Sequence, residues 1–115
     1  MRRSALKRAA PAARIGEHVP FISRTVAEAP ASPGVYLLYH GHRLIYIGLA
    51  AAGATIQERL RHHLRGAGGP CTRCATEFDY ETSADPIPLY RHYVAVYLHT
   101  TGGLLPDCND YDYSS

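Results

Sequence analysis

The sequence has no long apolar run and no nucleotide-binding motif, and each absence excludes a class of protein. No stretch of the 115 residues approaches the roughly 18 consecutive apolar residues that a membrane span needs, so we expect no integral membrane protein. No apolar h-region follows the basic start of the chain, so no secretory signal is predicted. Because both G-x-x-x-x-G-K-[ST] and G-x-G-x-x-G are absent, phosphate binding by a glycine-rich nucleotide loop is unsupported.

Cysteine is scarce, with Cys71, Cys74 and Cys108 as the three examples. An odd number cannot form a closed disulfide framework, so we expect reduced thiols and a cytoplasmic location. Cys71 and Cys74 form a C-x-x-C segment, and Cys108 with His62 or His63 would complete four ligands for Zn²⁺. No second C-x-x-C and no H-x₃₋₅-H accompanies it, so buried or inactive thiols are favoured over zinc at Cys71 and Cys74.

Charge is distributed unevenly along a chain whose composition is that of one globular domain. Hydrophobic residues make up 46% and charged residues 19% of the sequence. The net charge is +2, yet residues 1–16 carry five basic residues and no acid, which leaves seven basic against ten acidic residues elsewhere. A basic arm of this kind favours an anionic partner, of which nucleic acid is the commonest. A solvated tail and, less well, an organellar transit peptide are the alternatives.

Two β-rich runs at residues 35–39 and 43–48 predict a hairpin. The three residues between them contain Gly41, which favours a tight connection. If the hairpin is symmetric about Gly41, residue i pairs with residue 82 − i. Tyr36 then lies directly opposite Tyr46 on the same face of the sheet.

A capping box predicts the start of a helix after the hairpin. Thr55 is its N-cap and Glu58 its N3 residue, and Gly66 is placed to end the helix. The apolar stripe at i, i+4 and i+8 that would face the core consists of Ile56, Leu60 and Leu64.

A third strand and a second long helix follow. Residues 76–82 alternate aromatic with acidic side chains, which is typical of a half-buried strand. Asp85 and Pro86 supply an N-cap and an N1 proline for a helix that runs to about His99.

The order strand, strand, helix, strand, helix predicts an α/β (α+β) fold with a small three-stranded central sheet flanked by helices. Residues 26–34 contain two prolines and a glycine, so they predict a linker, and the folded core is expected to begin near Gly34. The predicted organisation is a basic arm and linker at 1–32, a domain at 33–109 and a polar tail at 110–115.

The sequence resembles the GIY-YIG nuclease superfamily in its two signature segments. Residues 34–36 are Gly-Val-Tyr and residues 46–48 are Tyr-Ile-Gly. The arginine that the family carries in its next helix falls on Arg59, and the polar or aromatic residue one turn later falls on His63. The family's closing asparagine, shortly after a proline, falls on Asn109.

This resemblance implies a nuclease that cleaves phosphodiester bonds of DNA, or of RNA, with one divalent metal ion, Mg²⁺ or Mn²⁺. In the family a tyrosine helps to activate the attacking water, and which of Tyr36 and Tyr46 does so is left open here. The arginine stabilises charge on the phosphate, so Arg59 takes that role. His63 and Asn109 complete the implied catalytic set.

The sequence departs from the family at its metal ligand. The family has a glutamate on the later helix, but residues 86–99 contain no Asp or Glu. By spacing the position falls on His92, or less well on Arg91 or Tyr93, and neutral imidazole suits Mn²⁺ better than Mg²⁺. The lysine that often follows the second signature is replaced by Leu49.

Arg61, His62 and Arg65 share a helix with Arg59 and predict either a phosphate-contacting surface or a solvated helix face. The leading hypothesis is therefore a GIY-YIG-type endonuclease. A nucleic-acid-binding module of the same fold without cleavage and a zinc-stapled interaction domain are the alternatives. The sequence predicts no oligomeric state.

Overall fold

The computed structural model describes residues 18–111, with side chains to residue 109, so the basic arm at 1–16 and most of the polar tail lie outside the described residues. Within this range there are four strands: β1 (Val19–Pro20), β2 (Gly34–His40), β3 (Arg43–Ala50) and β4 (Glu77–Thr82). The helices are α1 (Ser23–Ala27), α2 (Ile56–Leu64), α3 (Pro70–Arg73), α4 (Pro86–Thr101) and a 3₁₀ helix (Asp107–Tyr111).

The strands form one antiparallel sheet in the order β1-β4-β2-β3. A small mixed α+β fold is thereby confirmed, and its three predicted strands are β2, β3 and β4. The expected number of strands is wrong because the sheet has an additional strand, β1, which pairs with β4. A strand of two residues, Val19 and Pro20, is too short to give a periodic sequence pattern.

The predicted hairpin is confirmed, but its predicted register is wrong. Tyr36 pairs with Gly48, and Leu38 is the residue opposite Tyr46. The turn contains two residues rather than three, and a bulge next to Leu38 leaves Ile45 without a partner, so each feature shifts the register by one residue. The two shifts add to an even number, and Tyr36 and Tyr46 therefore remain on the same face.

The sheet separates two apolar clusters. Tyr36, Leu38 and Tyr46 face α1 and α2 and pack with Ile56 and Leu60. The opposite face presents Val35, Leu37, Tyr39 and Ile47, and α4 covers it with Tyr93. Because neighbouring residues of a strand point to opposite faces, α2 and α4 lie on different sides of the sheet.

Residues before Gly34 belong to the core, so the expected core boundary was too late. Phe21 and Val26 are buried in the cluster on the α2 side. The segment predicted as a linker also has a structural role, because the carbonyls of Pro30 and Ser32 accept hydrogen bonds from the first amides of α2. Prolines are tolerated there since these contacts use carbonyl groups and no proline N–H.

The helix ends mostly follow the local sequence. The capping box of α2 is confirmed, since Thr55 Oγ1 accepts from the Glu58 amide and Glu58 Oε1 accepts from the Thr55 amide, both at 3.1 Å. Gly66 follows that helix with φ of 85°, and Gly102 ends α4 with φ of 73°. Asp85 is the N-cap residue of α4, but its side chain makes no capping hydrogen bond.

The expectation of reduced thiols is wrong for two of the cysteines. Cys71 and Cys108 form a disulfide with a Cα–Cα distance of 5.6 Å, and Cys74 is a free, exposed thiol. The spacing of three cysteines did not indicate this pair because the fold brings residues 37 positions apart into contact. The disulfide also uses two of the thiolates that the zinc interpretation required. The argument for a cytoplasmic location rested on reduced cysteines, so it no longer holds.

Within residues 18–111, no helix combines the length and the apolar character that crossing a bilayer requires.

Candidate active site

Three side chains that the sequence singled out meet in one buried aromatic cluster. The ring centroids of Tyr36 and Tyr46 are 6.0 Å apart, and the His63 ring lies 5.6 Å from Tyr36 and 5.0 Å from Tyr46. Their exposed fractions are 0% for Tyr36, 3% for Tyr46 and 6% for His63. The strand face and the inner flank of α2 therefore bring these residues together, and the prediction that Tyr36 and Tyr46 share one face is confirmed.

A chain of hydrogen bonds runs through His63. The hydroxyl of Tyr36 lies 2.8 Å from His63 Nε2, and His63 Nδ1 lies 2.9 Å from Thr72 Oγ1. Thr72 is buried in α3, so its hydroxyl fixes the ring from the side away from Tyr36. Both ring nitrogens are hydrogen-bonded in a low-dielectric environment, which holds the imidazole in one orientation.

Two glycines give this cluster its space. A Cβ atom on Gly48 would lie 2.0–2.5 Å from ring carbons of Tyr36. A Cβ atom on Gly68 would lie 2.5 Å from His63 Nδ1 and 3.0 Å from Thr72 Oγ1. The glycine of the second signature is thus required because the tyrosine of the first signature lies across its backbone.

Arg59 lies one helical turn before His63 and is exposed on the flank of α2. Arg61, His62 and Arg65 are exposed on the same helix, and together with Glu58 they border an open depression of ≈ 370 Å³. The structure therefore places the arginines on a solvent-facing surface next to the buried cluster.

Asn109 is buried, and both polar atoms of its side chain bind the backbone of β3. Its Oδ1 accepts from the Ile47 amide at 2.9 Å, and its Nδ2 donates to the Ile47 carbonyl at 3.0 Å. Since β3 is an edge strand, these two bonds occupy backbone groups that no neighbouring strand pairs. Asn109 thus attaches the C-terminal segment to the residue that follows Tyr46.

The structure does not bring His92 to this cluster. His92 is exposed on α4, with its ring 5.9 Å from that of Tyr93, and α4 covers the other face of the sheet. No group of three or more His, Cys, Asp and Glu side chains within residues 18–111 is arranged to hold a metal ion. The structure therefore gives no ligand set, among the described residues, for the divalent metal that the resemblance implies.

The opposite face of the sheet holds a second set of ionisable groups. The hydroxyl of Tyr93 donates to Glu81 Oε1 at 2.7 Å. Burial, as the larger cause, and this hydrogen bond both raise the pKa of Tyr93 far above its usual range. Burial and the charges of Asp79 and Glu77 likewise raise the pKa of Tyr39. The phenols on this side are thus held neutral. Asp79 is itself buried, with 1% of its surface exposed.

The sequence missed the partners of His63. Thr72 lies inside the C-x-x-C segment, where the cysteines drew attention, and nothing in its neighbours marks it as a histidine partner. Gly68 is one of several glycines in a loop, and no local pattern separates it from the others.

Comparison with known proteins adds no relative. No family model, no curated protein and no solved structure matches the chain.

Proposed function

We propose that this chain is an endonuclease of the GIY-YIG type that hydrolyses phosphodiester bonds of DNA. The observation that carries the proposal is the 2.8 Å hydrogen bond between the Tyr36 hydroxyl and His63 Nε2, and His63 lies on the helix that bears Arg59. Phosphodiester hydrolysis requires a proton acceptor and positive charge near the phosphate.

His63 controls the proton of Tyr36. When Nδ1 carries the ring proton, it donates to Thr72 Oγ1, and Nε2 accepts the hydrogen bond from the Tyr36 hydroxyl. Withdrawal of the phenolic proton makes the phenol oxygen a stronger base for an attacking water. A phenol with an ordinary pKa near 10 is a weak base at neutral pH, so this partner is needed for the reaction. Tyr36 has no exposed surface, and the substrate must open the cluster to reach it.

Arg59 supplies positive charge at the exposed rim of the cluster. Its guanidinium is always protonated and presents donors in a planar fork that matches phosphate oxygens. A cation fixed near the phosphate stabilises the charge that develops during hydrolysis. Arg61, His62 and Arg65 extend the same surface and position the DNA backbone.

We assign no ligands and no step to a divalent ion, because no group of three or more His, Cys, Asp and Glu side chains within residues 18–111 is arranged to hold one. Dependence of cleavage on Mg²⁺ or Mn²⁺ is therefore a prediction from the resemblance alone.

Nicking of supercoiled plasmid tests the proposal, with Mg²⁺, Mn²⁺ and EDTA in parallel reactions. Tyr36→Phe and Arg59→Ala are each expected to lower the nicking rate by about 10²-fold or more. Tyr39→Phe removes a phenol from the same strand on the opposite face, and Arg24→Ala removes an exposed arginine from α1. Both controls are expected to retain the wild-type rate, and equal losses in controls and test variants would contradict the assignment.

A nucleic-acid-binding module without cleavage is the second candidate. It is supported by the complete burial of Tyr36 and by the lack of a metal-holding group among residues 18–111. Fluorescence anisotropy with labelled duplex DNA over a salt series separates the two candidates. Arg61→Gln and Arg65→Gln should each lower the slope of log K against log salt by about 0.9 if they contact phosphates. Salt-dependent binding without nicking in any metal would establish this second function and overturn the first.

A further inference from the structure

Two of the three cysteines border one apolar depression near α3. Cys71 and Cys74 both border it, together with Gly68, Gly69 and Pro70, and its volume is ≈ 550 Å³. Cys71 is bonded to Cys108, whereas Cys74 is a free thiol exposed to solvent. A disulfide sulfur and a free thiol therefore lie at the wall of the same depression.

We propose that Cys74 exchanges with the Cys71–Cys108 disulfide, so that residues 71, 74 and 108 form a thiol–disulfide exchange site. The Cys74 thiolate attacks the sulfur of Cys71, a Cys71–Cys74 bond forms, the Cys71–Cys108 bond breaks, and Cys108 leaves as a thiolate. The proton released from Cys74 is balanced by the one that Cys108 takes up. No oxidant or reductant is consumed, because one disulfide replaces another.

The backbone allows the new bond. The amide of Cys74 donates to the carbonyl of Cys71 at 3.2 Å, so the two residues stand three positions apart in one helical turn. Helical geometry puts such Cα atoms about 5 Å apart. Disulfides span Cα–Cα distances of roughly 4.4–6.8 Å. Exchange therefore needs rotation of side chains and a small adjustment of a four-residue helix.

Burial determines which sulfur is attacked. Cys108 is 2% exposed and does not border the depression, whereas Cys71 is half-buried and borders it together with Cys74. Access is one of the factors that set the rate of attack on a disulfide sulfur. The leaving group is accordingly Cys108 and not Cys71.

Exchange would loosen the C-terminal segment without freeing it. Asp107 accepts two hydrogen bonds from the Arg43 guanidinium, at 3.0 and 3.1 Å, and Asn109 binds the backbone of Ile47. Cys108 supplies the covalent attachment between them. This inference goes beyond the proposed nuclease function and does not depend on it.

Peptide mapping of the full chain tests the exchange. Trypsin cleaves after Arg65, Arg73 and Arg91, so each cysteine falls on its own peptide, at residues 66–73, 74–91 and 92–115. The oxidised protein is incubated without reductant at mildly alkaline pH, blocked with N-ethylmaleimide, digested and analysed by mass spectrometry. We expect wild type to give both the 71–108 and the 71–74 linked peptides, with maleimide on Cys108 in the molecules that have exchanged.

Two variants keep the test decisive. Cys74→Ser should give the 71–108 linkage alone and lose all maleimide labelling of Cys108. Cys108→Ser should give the 71–74 linkage, since Cys71 then has one possible partner. The proposal is overturned if wild type retains only the 71–108 linkage with Cys108 unlabelled, or if Cys108→Ser leaves Cys71 and Cys74 both unpaired. Neither result bears on plasmid nicking, so the two proposals fail separately.

Discussion

Substitution of Gly48 by alanine is the sharpest test of the site, because the ring of Tyr36 packs directly against the backbone of Gly48. The added Cβ atom would lie 2.0 Å from Tyr36 Cζ, and ordinary contact begins at 3.4 Å, so ring or strand must shift by about 1.4 Å. The hydroxyl on that carbon is 2.8 Å from His63 Nε2. A shift of this size takes the pair beyond hydrogen-bonding distance.

Two effects of Gly48→Ala lower the free energy of unfolding. Overpacking of a well-filled core costs about 1–3 kcal/mol. Loss of a buried hydrogen bond leaves a polar group unsatisfied and costs about 1–3 kcal/mol more. Gly48→Ala should therefore lower the free energy of unfolding by about 2–6 kcal/mol, a large fraction of the roughly 5–15 kcal/mol of a typical domain.

Denaturation in guanidinium chloride, followed by far-UV circular dichroism, measures this change, since the chain has no tryptophan. Reductant is omitted so that the disulfide remains intact. Tyr36→Phe is the matched background, because it keeps the ring and removes the hydroxyl. In the Tyr36→Phe protein, Gly48→Ala should lower the free energy of unfolding only by the amount due to overpacking. The difference between this loss and the loss in wild type measures the contribution of the hydrogen bond.

A small effect would refute the geometry. In the symmetric hairpin that the sequence suggested, Gly48 is opposite Gly34 rather than Tyr36, and alanine there would meet no ring. A loss within about 0.5 kcal/mol, as for ordinary surface positions, would favour that register over the observed one.

Two further outcomes follow from other contacts. Asn109→Ala removes both hydrogen bonds to Ile47 and should cost about 1–3 kcal/mol in the same denaturation experiment, whereas an unchanged midpoint would contradict that attachment. The raised pKa values of Tyr39 and Tyr93 mean that their stabilising effect is complete below about pH 10 and is lost as the pH rises above that value. Stability should therefore be flat from pH 7 to 9 and fall above pH 10, by at most about 1.4 kcal/mol per pH unit for each phenol. Tyr93→Phe should make that fall shallower, and an identical pH profile would show that Tyr93 ionises as freely in the folded protein as in the unfolded one.

Local sequence determined the helix ends, because the interactions that form them span three or four residues. Thr55 and Glu58 satisfy each other's amides across one turn, and Gly66 adopts the left-handed conformation that ends a helix. Such contacts need nothing from the rest of the chain. The sequence therefore predicted α2 and the start of α4 within a residue or two.

The shared face of Tyr36 and Tyr46 was predictable for a similar reason, because side chains alternate along a strand. The packing of α2 on that face, which brings His63 to the tyrosines, was decided by tertiary structure. The register itself was not predictable, because it depends on a bulge at Ile45 that lets a further apolar side chain into the core. An even total shift preserved the face despite that error.

The remaining contacts were decided by tertiary structure alone. The hydrogen bond between Thr72 and His63, the attachment of Asn109 to Ile47 and the Cys71–Cys108 disulfide each join different elements of the fold. Partners of this kind are selected by which surfaces pack together, and a sequence pattern of period two or 3.6 carries no information about them. The same limit explains His92, whose spacing along α4 suited a metal ligand although that helix packs on the other face of the sheet.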